Sequence, residues 1–277
     1  MRHILRIIWF GMLHLSFCNV IPFMLPRNTI GKFAAFSLAT LLTFSCSRHF
    51  NVQKADYEQY GIGSQLPPDS SVIKYYLPYK QKMEAEMNRV IGETEYALTK
   101  SSDAETELGN FFSDAGLSEA KKRQSSIQFA LVTTKGGIRA SIPKGKVIVS
   151  DIFELMPFEN ELVVVKLSGE GMKRVIDFIV ASNGQPVSGI RMKIKNKTAY
   201  DVTINGEPFD ITKTYTGVTS DYLANNGDDQ SCFANPLERS NAGLKVRDAL
   251  MAYIAEQTRN GRKIESKLDG RILIIND

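Results

Sequence analysis

Three short segments carry the residue types that could do chemistry: residues 133–139 (Thr-Thr-Lys-Gly-Gly-Ile-Arg), 156–160 (Met-Pro-Phe-Glu-Asn) and 221–228 (Asp-Tyr-Leu-Ala-Asn-Asn-Gly-Asp). They offer two aromatic rings, Phe158 and Tyr222, a guanidinium at Arg139, an amide at Asn160 and a carboxylate at Asp228, on loops rich in Gly and Asn. Rings stack on a planar base, while carboxylates and amides bond hydroxyls and base edges, so the set could hold a nucleoside. Hydrolysis is another matter. The usual dimetal hydrolase site needs imidazoles, and the three histidines, His3, His14 and His49, all precede residue 50. No catalytic residue, metal ligand or cofactor site is assigned to this chain.

Each segment also has a plainer reading. Gly136-Gly137 behind an apolar strand fits a tight turn, and neither P-loop nor Rossmann spacing is present. Phe158 alone reads as core, and Asp228 and Asp229 as ordinary turn acids.

The segments must be positioned by a folded body, and the chain divides accordingly. Residues 1–45 read as an export signal of lipoprotein type: an apolar run from Phe33 to Phe44 follows Arg27 and Lys32 and ends at Ser45-Cys46. Cys46 would become the lipidated first residue, with Met24 as the start of a signal of ordinary length. An uncleaved anchor and a soluble secreted form are the alternatives. Residues 46–69, with Gly61, Gly63, Pro67 and Pro68, read as a tether to the membrane. With Cys18 in the leader and Cys46 acylated, Cys232 stands alone and no structural disulfide is expected. The chain carries 34 basic and 30 acidic residues. Arg2, Arg6, Arg27 and Lys32 are the only charged groups in the leader, so the remainder is formally neutral and lacks the basic footprint of a nucleic-acid binder.

Residues 70–277 have the periodicity of a mixed α/β (α+β) domain, a mixed sheet with packed helices. Val72, Tyr75, Tyr76, Tyr79, Met83 and Met87 predict a helix that Pro78 should kink or interrupt. Residues 91–98 read as a strand, and 106–122 as a helix with an apolar face of Leu108, Phe111, Phe112, Ala115 and Leu117. Strands follow at 127–133 and 147–149, then a short helix at 151–155. The nearly continuous apolar run 162–167 predicts a strand covered on both faces, and Ser168 caps a helix reaching Ala181. Strands at 190–195 and 200–204, a turn at Asn205-Gly206, and a strand at 214–219 come next. A helix at 244–257 and a strand at 271–275 close the domain.

The three segments, in this order and at these intervals, resemble the C-terminal domain of the 5′-nucleotidase family. The resemblance extends through Val90-Ile91-Gly92-Glu93-Thr94, Glu107-Leu108-Gly109-Asn110, Gly206-Glu207-Pro208 and Arg247-Asp248-Ala249-Leu250. It implies that the domain recognises a nucleoside or nucleotide while a separate metallophosphoesterase holds the divalent metals. Phe158 and Tyr222 would stack on the base, Arg139 would approach ribose or phosphate, Asn160 the base edge and Asp228 the ribose hydroxyls. The family's Asn-Gly-Gly-Gly-Ile-Arg is Thr134-Lys135-Gly136-Gly137-Ile138-Arg139 here. Its arginine upstream of Leu108 is replaced by a stretch with Ser101, Ser102 and Asp103.

The expected function is thus an exported, lipid-anchored recognition subunit of a split 5′-nucleotidase, working in the bacterial cell envelope with a separately encoded metallophosphoesterase and no nucleic acid. The alternative is a non-catalytic envelope lipoprotein that kept the fold and lost the ligand, with Lys135 filling the old pocket. A self-contained hydrolase is the third reading.

Overall fold

The computed structural model describes Lys32, residues 57–61, Gly63, and residues 66–227 and 231–275. The expected leader, the lipidated Cys46 and Asp228 lie outside these described residues. Pro68–Asp277 forms one compact unit.

Its helices are α1 (Ser70–Met87), α2 (Glu107–Lys121), α3 (Val149–Leu155), α4 (Gly169–Ala181), α5 (Asp221–Ala224) and α6 (Val246–Arg259). Its strands are β1 (Val90–Thr94), β2 (Phe129–Leu131), β3 (Gly145–Ile148), β4 (Glu161–Ser168), β5 (Ile190–Lys195), β6 (Thr198–Ile204), β7 (Glu207–Pro208), β8 (Thr214–Ser220), β9 (Glu238–Lys245) and β10 (Ile272–Ile274).

The strand order β2-β8-β4-β9 builds the central sheet, with β2 parallel to β8 and β4 antiparallel to both of its neighbours. This sheet separates two cores. On β4, Leu162 and Val164 face the first with α2, α3 and α6, while Val163, Val165 and Leu167 face the second with α4 and the sheet β10-β5-β6-β7. The period of two in a strand buried on both sides explains why 162–167 is apolar except at Lys166. Strands β1 and β3 make a separate antiparallel pair.

Local sequence accounts for several boundaries. Thr106 caps α2 through the Gly109 amide at 2.9 Å, and Ser168 caps α4 through the Gly171 amide at 3.1 Å. Asn205 and Gly206 both take positive φ, at 51° and 85°, so two residues close the β6–β7 hairpin.

Several expectations change: the strand expected at 127–133 is confined to Phe129–Leu131, and Val149, expected in a strand, opens α3. Pro78 does not interrupt α1, which is continuous and has no buried residue. An exposed helix can leave the carbonyl that loses its partner to water, so the proline costs less there than in a packed helix. The strand expected at 91–98 ends at Thr94, with Leu98 making only an isolated bridge to Ile142. The helix expected from 244 begins at Val246, because Glu238–Lys245 is a strand at the edge of the central sheet. Its sequence, Glu-Arg-Ser-Asn-Ala-Gly-Leu-Lys, shows no apolar alternation because its side chains are mostly exposed, and among the described residues it pairs on one side only.

Candidate functional site

The three segments meet because of strand direction. Strands β2 and β8 are parallel and in register at Leu131↔Thr219, so both end at the same edge of the sheet. Antiparallel β4 starts there, with Leu162 opposite Ser220. The loop after β2, the residues before β4 and the helix after β8 are therefore neighbours, although they are far apart in the chain.

They enclose a cavity of about 190 Å³ whose lining includes Thr133, Thr134, Arg139, Phe158, Asn160, Ser220 and Tyr222. The structure thus brings Arg139, Phe158, Asn160 and Tyr222 together. Phe158 is 40% exposed and Tyr222 46%, so these rings stand at a rim and the core reading of Phe158 falls. Among the described residues of the lining, Arg139 is the charged one, with its guanidinium carbon 5.9 Å from the centre of the Phe158 ring.

Each element fixes its own part. Ser220 caps α5 by accepting from the Leu223 amide at 3.4 Å. Asp221 Oδ1 accepts from the Tyr222 amide at 2.8 Å and the Glu161 amide at 3.1 Å, tying the Tyr222 helix to the start of β4. A Cβ added at Gly227 would meet the Tyr222 ring at 2.4 Å, so the ring packs on glycine backbone. In the glycine loop, the Gly137 amide donates to the Thr134 carbonyl at 3.0 Å and the Thr134 hydroxyl at 3.2 Å. A tight turn and a cavity wall are here the same object.

Lys135 does not fill the cavity. Its Nζ donates to the carbonyls of Ser102 (3.1 Å), Ser182 (3.1 Å) and Asn183 (3.2 Å), and its amide to Gln185 Oε1 at 2.9 Å. The ammonium thus sits on the carbonyls that end α4, where the helix dipole favours a cation. Burial pushes its pKa down, with Asp103 opposing.

Glu159, beside Phe158, accepts from Lys245 and Arg247. Hydrogen bonds from Lys245 and then Arg247 hold its carboxyl at about 2. A carboxylate depressed in this way contributes stability that is complete above its ordinary value of ~4.5 and is lost as pH falls through about 2. An NMR titration of the Glu159 carboxyl should therefore show a midpoint close to 2. A midpoint at the ordinary glutamate value would mean that the two cations do not hold it.

Arg247 was not among the site residues expected from sequence, but a signal for it existed. It shares a stripe with Leu250 and Ile254 on α6, spaced by three and four, and an arginine on an apolar face needs partners.

A family model described as 5′-nucleotidase, C-terminal domain, matches residues 86–235. The trifunctional nucleotide phosphoesterase protein YfkN of Bacillus subtilis is 28% identical over 214 residues, covering 70% of this chain and 14% of that protein. Protein UshA of Escherichia coli is 28% identical over 206 residues, covering 70% of this chain and 36% of that protein. Among solved structures, the 5′-nucleotidase precursor from Thermus thermophilus superposes with a TM-score of 0.63 at 29% identity, covering 76% of this chain and 44% of that one. The chain spans less than half the length of these relatives. With the family match running across the glycine loop, Phe158 and Tyr222, this chain belongs to the 5′-nucleotidase C-terminal domain family.

Proposed function

We propose that this chain is the nucleoside- or nucleotide-recognition subunit of a split 5′-nucleotidase. The base enters between Phe158 and Tyr222, Asn160 reads its edge, Arg139 meets ribose or phosphate, and Asp228 accepts from ribose hydroxyls. Phosphate-ester hydrolysis belongs to a separately encoded metallophosphoesterase that carries the divalent metals. The chain is exported and held in the bacterial cell envelope through a lipid on Cys46.

One observation carries the reading: two rim-exposed rings, an amide and a guanidinium converge on one cavity of about 190 Å³. Stacking gives base-tolerant affinity, and a cation at the mouth favours a phosphorylated ligand over a neutral one. The lack of histidine beyond residue 49 supports placing the metals elsewhere.

The test is calorimetric titration of the purified chain with adenosine, AMP and other nucleosides, beside an AMP hydrolysis assay with added divalent metals. Saturable binding without turnover is expected. Turnover by the chain alone overturns the split assignment, and a folded chain that binds none of these ligands supports the envelope lipoprotein that kept only the fold.

A further inference from the structure

Phe158 sits on a loop that has no secondary structure of its own, yet that loop is pinned at three alternate carbonyls and one side chain by the start of α6. The Val246 amide donates to the Asn160 carbonyl at 2.9 Å. Arg247 Nη1 donates to the carbonyls of Met156 and Phe158, each at 3.3 Å, and Nη2 donates to Glu159. The guanidinium also lies over the Phe153 ring at 4.0 Å from its centre. The Arg247 side chain is 6% exposed, against 62% for Glu159. A guanidinium is suited to this task because its planar fork can stack and bond several oxygens at once, which an ammonium cannot reproduce.

We propose that Arg247 is the positioning residue of the recognition site: it fixes the loop of residues 156–160 so that the Phe158 ring and the Asn160 amide are presented to the cavity before any ligand arrives. The assignment rests on the recognition role proposed above for its effect on ligand affinity, but not for its effect on the loop. Arg247 lines no part of the cavity. It acts through the backbone that carries Phe158, and α6 thereby becomes part of the recognition apparatus.

Two measurements on the full chain test this. In hydrogen exchange without ligand, Arg247→Met should raise exchange by about tenfold or more at the amides that bound the loop, those of Met156, Glu161 and Val246, which donate to Ile152, Asp221 and Asn160, with the rest of the central sheet still protected. Arg247→Lys should recover little of that protection, and Glu159→Gln should loosen the same amides by a smaller factor. Glu159→Gln also stands as the test if Arg247→Met does not fold, because Glu159 is exposed. Unchanged exchange at these amides in the folded variants overturns the proposal.

The second measurement is a double-mutant cycle on AMP affinity. If Arg247 acts by placing Phe158, Arg247→Met weakens AMP binding by about tenfold in the wild-type background and far less once Phe158 is alanine. A general loss of structure would weaken binding equally in both backgrounds, and that result also overturns the proposal. A wild-type chain that binds no nucleoside or nucleotide overturns the recognition reading instead, and the exchange result then decides the loop assignment on its own.

Discussion

Replacing Phe158 and Tyr222 together by alanine is expected to abolish measurable nucleotide binding while leaving the fold intact. A base stacked on an aromatic side chain gains about 1–3 kcal/mol, roughly five- to 150-fold in affinity, so each single substitution should be visible and the pair should compound. The rings can be removed without collapse because both stand at the rim, 40% and 46% exposed. Thermal unfolding should accordingly shift by no more than a few degrees, within the range of a surface substitution of about 1 kcal/mol. Calorimetry with AMP, run beside a melting curve, checks both halves. Affinity unchanged in the double variant would remove the rings from recognition.

The largest stability effect should come from the second core. Phe129 is fully buried in the second core, and Gly217 is its partner in the parallel β2–β8 ladder. A Cβ at Gly217 would meet the Phe129 ring at 2.2 Å, so the ring occupies the space that any other residue at 217 would need. Phe129→Ala should cost about 3–5 kcal/mol, the range for emptying a large aromatic site. Gly217→Ala alone should cost about 1–3 kcal/mol by overpacking. In the Phe129→Ala background the same methyl enters vacated space and should be neutral or stabilising. Denaturant unfolding of the four proteins decides the matter, and simple additivity would mean that the two residues do not share the site.

Much of this was legible in the sequence where local pattern and tertiary role coincide. The run 162–167 announces a strand buried on both faces, Ser168 announces its helix, and Asn205-Gly206 announces its hairpin. Order and spacing of the aromatic and glycine-bearing segments also identified the family before any geometry was known. What escaped was set by context. Strand β9 is an exposed edge whose pairing with β4 leaves no periodic trace. Lys135 read as a group that could block a cavity, and only the end of α4, brought close by the fold, gives its ammonium somewhere else to go. Arg247 required knowing that the loop of Phe158 runs across the start of α6.

The position of β8 between β2 and β4 has a consequence for how the chain acquires its shape. Two of the cavity walls are translated first, with β2 and β4, and the third only with β8 and the helix behind it. The site has no existence in a partly folded chain, since its closing wall depends on contacts of long sequence separation, the kind that form late and slowly. A ligand held there binds the finished fold alone. Each increment of free nucleotide should therefore draw the folding equilibrium toward the native state by mass action, making the melting temperature a readout of occupancy.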